Sequence, residues 1–374
     1  MSGLRTCTRL GWKKPGKHKR VPLVFLTASL IVSALVFKQE LKVTGREGRE
    51  QCANVERLPC PGYPEDTCRG DIHMMWALGL RRSSHIFSTN NISGPIQTGA
   101  DVDGVQALFV ADPFLVIDKG DTWYIFTEVL NNVCQRGEVG YHVSLDSGRS
   151  WSFGSIVMAE SWHLSFPFVI FEQGKYYMTT CATAGYGNSK PLWLYSAENF
   201  PTGWRRHTQL LGQGQLVGQA IDPVLKLHNG VWFLFVLDNG VDKERLFFSK
   251  DLFGPYQEHP RSGRYAIRQS GQIVVDENGH LWAFHHTGSE TVERWLITAL
   301  TPTEYEYGEH LPLLSKGEDK WKSSGMHTYN AVKLNDNTWA SVVDGWWDNS
   351  DTHSVYQCVR EGGRVCQERG KAAE

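Results

Sequence analysis

Three carboxylates stand at the ends of apolar, strand-like stretches of this 374-residue chain. Asp112 and Asp222 each precede a proline near the start of such a stretch, and Glu128 ends the stretch that follows Asp112. Cleavage of a glycosidic bond needs two carboxyl groups, one as an acid and one as a base or nucleophile. We therefore predict these residues as catalytic, with Asp112 as base or nucleophile and Glu128 or Asp222 as acid or electrostatic helper.

A structural role is the alternative for both aspartates. An aspartate at the entry to a strand often caps a loop or accepts hydrogen bonds from nearby backbone N–H groups. Residue type and position leave both interpretations open for Asp112 and Asp222. Two other carboxylates, Glu138 and Asp238, fall in predicted loops, where we expect them to be solvated.

Further polar and aromatic residues are predicted at the same end of the molecule as substrate-binding groups, because aromatic rings suit the apolar faces of sugars. They are His163, His327, Asp344 and Trp346. The histidines lack the spacing of a zinc site, so packed or hydrogen-bonding roles are favoured over metal ligation. No metal and no cofactor are predicted.

The elements that would position these residues form a repeat. Pro113, Pro167 and Pro223 each lie seven residues before a glycine, and they are 54 and 56 residues apart. An aromatic strand follows each glycine, and two weaker copies of the unit begin near Ser270 and Tyr329. Five such units with no helical segment predict an all-β fold, a five-bladed β-propeller at residues 81–350. Strand entries and exits then share one end of each blade, so the candidate residues should surround the central channel.

Two local features accompany the repeat. A closed ring needs a strand from outside the last unit to cover its open edge, and we assign that strand to residues 84–87. Residues 144–151 fit the pattern S-x-D-x-G-x-x-W, a turn in which the Asp146 carboxylate accepts backbone N–H bonds. We expect this turn to be structural.

An uncharged apolar segment at residues 21–37 follows seven basic residues. This charge asymmetry predicts a single N-terminal transmembrane helix of type II topology, with residues 1–20 cytoplasmic and the rest in the lumen of the Golgi or endoplasmic reticulum. A cleavable signal peptide is the alternative. Residues 38–80 are predicted to be a stem and residues 351–374 a C-terminal tail. The formal net charge of −2 argues against a nucleic-acid partner.

Seven of the eight cysteines follow the apolar segment. In an oxidising lumen they are expected to form disulfide bonds that hold the ends of the domain, with the pairing left open. The tripeptide Asn91-Ile92-Ser93 is a glycosylation sequon, as expected for a lumenal glycoprotein.

The chain resembles the N-terminal β-propeller domain of the glucosamine inositolphosphorylceramide transferase family, which is itself similar to arabinanase-like five-bladed glycoside hydrolases. The matching segments are 111–114 (ADPF), 163–168 (HLSFPF), 199–204 (NFPTGW), 222–223 (DP), 252–255 (LFGP), 297–305 (ITALTPTEY), 325–328 (GMHT) and 343–346 (VDGW). Against the arabinanase-like pattern, Asp112 matches the first-blade base, whereas the second blade has Ser165 where a carboxylate is expected. In the plant enzymes, the resemblance implies an exostosin-like glycosyltransferase domain after the propeller, so a separate glycosyltransferase is an expected partner here.

The sequence thus predicts a membrane-anchored, lumenal, carbohydrate-active propeller that acts on a glycosidic bond of a glycan or glycolipid. The alternative is a non-catalytic propeller that binds glycans or acts as a scaffold for a glycosyltransferase. A sialidase-like enzyme, which the Asp146 turn suggests, is disfavoured because no arginine cluster for a sialic acid carboxylate is evident.

Overall fold

The structure is a computed structural model that describes residues 53–54, 74–118, 120–134, 136–183, 190–287, 291–348, 357–360 and 364–367. The predicted cytoplasmic tail and apolar segment, and most of the predicted stem and C-terminal tail, lie outside these residues. Within the described part, no helix has both the length and the apolar character that a membrane span requires.

Nearly all regular structure in the described part is β-sheet. The two 3-10 helices there are Gly99–Asp101 and Lys320–Lys322. The strands, in chain order, are β1 (Ala53–Asn54), β2 (Met74–Ser83), β3 (Ser93–Gln97), β4 (Ala107–Ile117), β5 (Trp123–Asn131), β6 (Arg136–Ser144), β7 (Ser152–Met158), β8 (His163–Glu172), β9 (Lys175–Thr183), β10 (Leu192–Asn199), β11 (Thr202–Leu211), β12 (Ala220–His228), β13 (Val231–Asp238), β14 (Lys243–Ser249), β15 (Gln257–Glu258), β16 (Arg268–Gln269), β17 (Val274–Val275), β18 (Leu281–Thr287), β19 (Thr291–Leu300), β20 (Tyr305–Ser315), β21 (Gly325–Lys333), β22 (Trp339–Asp348), β23 (Gln357–Arg360) and β24 (Arg364–Gln367).

These strands form five antiparallel sheets that correspond to five blades. The first three are β4–β7, β8–β11 and β12–β15, and in the fourth both β16 and β17 pair with β18 before β19 and β20. The fifth has the order β21-β22-β2-β3. The predicted five-bladed propeller is therefore confirmed. A separate small sheet has the order β1-β24-β23, in which Cys358 and Cys366 are register partners.

The ring is closed by β2, which pairs with β22 over ten residues from Met74 to Ser83. The closing strand was predicted at residues 84–87 and actually lies upstream of them, partly inside the segment assigned to the stem. The apolar signal that suggested residues 84–87 comes from Ile86, which is fully buried but lies in a turn. Burial alone did not distinguish a core turn from a strand.

Each blade's first strand is interrupted where it enters the channel. Asp112, Phe166 and Asp222 have positive φ angles of 51°, 49° and 47°, and the strand register shifts at each of them. A proline follows each residue and has no N–H to offer the sheet, so the ladder breaks there. In the second blade, Phe166 therefore occupies the position of the aspartates, and not Ser165.

The predicted turn at Asp146 is confirmed. Its Oδ1 accepts hydrogen bonds from the backbone N–H groups of Arg149 and Ser150, at 3.0 and 2.9 Å, and from the Ser144 hydroxyl at 2.7 Å. The carboxylate is thereby fully engaged within its own hairpin, which leaves it no role in ligand binding.

Candidate functional site

Five of the predicted site residues meet where the first and second strands of three blades reach the central channel. Asp112 and Glu128 come from the first blade, Asp222 from the third, and His327 and Asp344 from the fifth. All five are buried, and Asp222 and Asp344 have no exposed surface. The structure thus brings these five residues together, although they lie within their strands and not at the strand ends where the sequence predicted them.

Asp112 and Glu128 lie on adjacent strands, where Ala111 is the register partner of Glu128, and a hydrogen bond between the two carboxyl groups contributes to the raised pKa of Glu128. Such a bond requires that one carboxyl keeps its proton. Burial, the charge of Asp112 and this hydrogen bond raise the pKa of Glu128 well above its usual range. Burial likewise raises the pKa of Asp112 to about 6, against the lowering effect of the His327 charge. Glu128 therefore holds the shared proton, and Asp112 is the group that ionises first.

Asp112 also ties three blades together. Its Oδ2 accepts a hydrogen bond from the Phe166 N–H of the second blade at 3.1 Å. Its Oδ1 accepts one from the Thr328 hydroxyl of the fifth blade at 3.2 Å. The structural role considered for this residue is therefore present, although it does not exclude contact with a ligand, since 4% of Asp112 is exposed.

His327 lies between two aspartates. Its Nδ1 is 2.9 Å from Asp344 Oδ2 and its Nε2 is 3.4 Å from Asp112 Oδ1. Burial favours the neutral ring, but the two carboxylates outweigh it and raise the pKa of His327. Asp344 accepts further hydrogen bonds from the backbone N–H groups of Asp112 and Thr328, at 2.9 and 2.7 Å. Asp344 thus supports His327 from behind and does not face the channel mouth.

The same three residues are the candidate metal ligands in the described part. One ligand atom from each of Asp112, His327 and Asp344 lies within 4.8 Å of the others. Sequence spacing did not indicate this grouping, since the residues come from different blades. Their oxygen and nitrogen atoms are already satisfied by hydrogen bonds to one another and to the backbone, so the geometry has a sufficient explanation without an ion.

Asp222 is paired with two residues that sequence reasoning missed. Arg268 donates a short hydrogen bond from Nε to Asp222 Oδ2. The Cys181 thiol donates to Asp222 Oδ1 at 3.1 Å, and the Asp222 N–H donates to the Cys181 sulfur at 2.8 Å. Arg268 precedes the weak fourth-blade leader by two residues, so a basic residue at a strand entry was the available signal. Asp222 has a fully paired carboxylate with no exposed surface, so it is not available to contact a substrate.

The accessible side of the cluster is formed by Glu128, His163 and aromatic rings. His163 Nδ1 accepts the Gly137 N–H at 2.8 Å, so Nε2 carries the proton of the neutral ring. That Nε2 lies 3.3 Å from Glu128 Oε1, and the two side chains are 15% and 8% exposed. The rings of Trp76 and Trp346 lie 6.0 Å apart, and Trp76 packs 4.8 Å from the His327 ring. All seven predicted site residues therefore belong to one region.

Two carboxylates predicted to be solvated are instead buried. Glu138 lies in β6, is 5% exposed and faces Arg136. Asp238 ends β13 with no exposed surface and binds Arg245 Nη1 at 3.0 Å. Both were predicted to lie in loops, and the buried ion pairs explain why these carboxylates lie inside the protein.

The protonation of this cluster predicts how stability depends on pH. A group whose pKa is raised on folding binds protons more tightly in the folded protein, so its stabilisation is full below its unfolded pKa and is lost as pH rises through the folded value. For Asp112 that loss spans pH 3.8 to about 6, and Glu128 and His327 extend it upward. Burial raises the pKa of Asp344, but the charge and hydrogen bond of His327 outweigh it and lower that pKa. Asp344 therefore contributes stability that is lost as pH falls below the usual pKa range of an aspartate.

We therefore expect the free energy of unfolding to fall as pH rises from 5 to 8. Urea unfolding of the wild type at fixed ionic strength measures it. Glu128→Gln removes a titrating group and should flatten the profile, whereas Glu198→Gln, at an exposed position, should leave it unchanged. A wild-type stability that increases steadily from pH 5 to 8 would contradict this assignment of protons.

The chain is similar in sequence to known proteins. A family model described as glucosamine inositolphosphorylceramide transferase 1, N-terminal, matches residues 81–346. The protein of that name from Oryza sativa subsp. japonica is 32% identical over 315 residues, which cover 74% of this chain and 41% of the relative. The Arabidopsis thaliana protein of that name is 26% identical over 315 residues, covering 74% and 40%. The chain spans about two fifths of the length of these curated relatives.

Among solved structures, a thermostable family-43 glycoside hydrolase aligns at a TM-score of 0.49 with 15% identity, covering 76% of this chain and 97% of that chain. The family match rests on sequence over most of the propeller, from β2 to β22. The resemblance seen in the sequence motifs is thereby confirmed. The chain belongs to the family defined by the N-terminal region of glucosamine inositolphosphorylceramide transferase 1.

Proposed function

We propose that this propeller binds the sugar headgroup of a glycolipid in support of sugar transfer, and that it does not itself cleave a glycosidic bond. The observation that carries this proposal is the placement of the buried Asp112 and Glu128 side by side on paired strands, where their carboxyl groups interact with each other. The two best-placed carboxyls touch each other instead of standing on either side of a substrate.

Glycosidase geometry explains why this contact matters. The two carboxyl groups of a retaining enzyme lie about 5–5.5 Å apart, and those of an inverting enzyme about 6.5–9.5 Å apart, so that the sugar or a water fits between them. Groups joined by a hydrogen bond leave no such space. Asp222 does not supply the second group either, since Arg268 and Cys181 occupy both of its oxygens.

The same groups are suited to binding sugar hydroxyls. The Nε2–H of His163 supplies a donor at the mouth of the channel, and the Oε1 atom of Glu128 and the ionised Asp112 supply acceptors beside it. Trp346 is half-buried beside them and offers an aromatic face. A few oriented polar groups beside aromatic rings are typical of a ligand site.

The ligand class follows from the family. The curated relatives are named for transfer involving inositolphosphorylceramide, so a glycosylated inositolphosphorylceramide is the ligand that we propose for this chain. We further propose that residues 21–37 anchor the chain in the Golgi or endoplasmic reticulum membrane with the propeller in the lumen. A separate glycosyltransferase acting beside it remains part of the proposal.

Binding to lipid vesicles tests this function. The detergent-purified full chain should bind vesicles that contain glycosylated inositolphosphorylceramide more tightly than vesicles that contain the unglycosylated lipid. Glu128→Gln and Trp346→Ala should each weaken this preference by about tenfold or more, as expected for a lost hydrogen bond or stacking contact. The control Glu198→Gln, at an exposed position, should bind normally. Equal binding of both lipids by the wild type would reject the proposal.

A hydrolase is the second candidate because of the raised pKa of Glu128. The raised pKa of Glu128 is what a general acid requires near neutral pH. This candidate needs a rearrangement that separates Glu128 from Asp112 when substrate binds, and it predicts turnover, which the binding proposal does not.

A further inference from the structure

A buried arginine at the interface of the fourth and fifth blades lacks a counter-charge. Of the three arginines that are buried in the described part, Arg136 lies 3.9 Å from Glu138 and Arg268 pairs with Asp222. Arg81, on β2, is only 2% exposed, yet no described carboxylate forms an ion pair with it. Carboxylates therefore compensate the charge of two of these buried guanidinium groups, but not that of Arg81.

The hydrogen bonds of Arg81 are incomplete as well. Its Nη2 donates to the backbone carbonyls of His85 and Ile86, at 3.0 and 3.3 Å. Its Nε and Nη1 are buried and have no hydrogen-bond partner among the described residues. An ionisable group that acts electrostatically on Arg81 is Tyr329, whose hydroxyl donates to the Ile86 carbonyl. Burial raises the pKa of Tyr329, so its phenol stays neutral and cannot balance the charge.

A second arginine, Arg294, also acts on Tyr329, and the Glu309 and Asp276 carboxylates partly balance its charge. Arg294, on β19 of the fourth blade, lies with its guanidinium carbon 4.0 Å from the centre of the Phe87 ring and 5.1 Å from that of Trp282. Its Nε is also buried without a hydrogen-bond partner among the described residues. Arg81 and Arg294 both act electrostatically on Tyr329, which places the two charges around one small region.

A buried Arg81 charge without a counter-charge would lower the stability of the folded protein. An unpaired buried charge destabilises a protein by several kcal/mol, whereas water satisfies N–H groups without supplying charge. The orphan N–H groups of Arg81 are enclosed, so the compensating group must be small. We propose that a monovalent inorganic anion of the halide class binds between the fourth and fifth blades, against Arg81 Nε and Nη1.

This site is distinct from the carboxylate cluster. Along β2, Arg81 is the register partner of Ser341, whereas Leu78 is the partner of Asp344. Three residues of extended strand, about 10 Å, therefore separate the two positions. The anion site is independent of the proposed function, and its role is to stabilise the closure of the ring, since β2 is the strand that completes the fifth blade.

Thermal unfolding of the full chain in different salts tests the proposal. At equal ionic strength, sodium chloride and sodium bromide should raise the midpoint of wild type above that in sodium gluconate, saturably and by about 2 °C or more, since a ligand that binds only the folded state stabilises it. Arg81→Met should remove the difference between salts. The matched variant Arg82→Met, at the exposed neighbouring position, should retain it.

A second measurement does not depend on a variant that folds. Crystals of the wild type soaked in sodium bromide should show an anomalous peak within about 3.5 Å of Arg81 Nε or Nη1, as expected for a halide that accepts an N–H hydrogen bond. Equal midpoints in bromide and gluconate, or crystals with ordered Arg81 and no bromide peak beside it, would overturn the proposal.

Discussion

Arg268→Met is expected to lower the free energy of unfolding by about 3–5 kcal/mol, because it leaves the Asp222 carboxylate buried without its partner. Asp222 has no exposed surface, and only 9% of the Arg268 side chain is exposed. Solvent therefore cannot replace the guanidinium. Equilibrium urea unfolding at pH 7 measures the loss.

The control for this prediction is a salt bridge on the surface. Arg205 Nη2 lies 3.3 Å from Glu198 Oε2, with 73% and 50% of the two side chains exposed. Such pairs contribute about 0–1 kcal/mol, so Arg205→Met should be nearly neutral. Arg268→Met/Asp222→Asn should recover part of the loss, since the stranded charge is gone. If Arg268→Met costs no more than Arg205→Met, the burial of the Asp222 pair is wrongly described.

A chain that begins at Ser84 is expected to lose cooperative unfolding altogether. Such a truncation removes β2, which pairs with β22 along its whole length and places Trp76, Ala77 and Leu78 in the core. The fifth blade would keep an open edge, and an open edge in a propeller exposes unpaired backbone groups and apolar surface. Circular dichroism during heating reports the loss.

The matched control begins ten residues earlier, at Met74, and keeps β2. It should melt cooperatively, near the midpoint of a longer fragment that begins at residue 38. A cooperative melt at that same midpoint in the chain that begins at Ser84 would show that β2 does not close the ring.

The repeat was predictable because its signals are local. Each of the first three copies carries a proline at the channel entry and a glycine at the hairpin turn, and both residues have fixed backbone consequences. Those signals placed Asp112 and Asp222 correctly at equivalent positions of two blades. They also placed Glu128 on the strand paired with that of Asp112, which the register of Ala111 opposite Glu128 confirms, although that strand continues to Asn131 and does not end at Glu128.

What the sequence did not show depends on contacts between blades. Arg268 and Cys181 reach Asp222 from neighbouring blades, 46 and 41 residues away in the chain, and no local pattern marks such a meeting. The direct contact of Asp112 with Glu128 is equally a matter of side-chain geometry. The proposal of a binding site in place of a catalytic pair rests on how these two groups are arranged, and not on their identity.

We propose above that the Asp112 and Glu128 pair binds a sugar without cleaving its glycosidic bond. The most direct test of this proposal is to incubate the wild-type full chain with vesicles of glycosylated inositolphosphorylceramide, measure the bound fraction, and then determine by mass spectrometry whether the recovered lipid has lost its sugar. We predict bound lipid that is recovered intact, and Asp112→Asn that binds more weakly. Catalysed release of the sugar by the wild type, slowed about a hundredfold or more in Asp112→Asn, would contradict the claim.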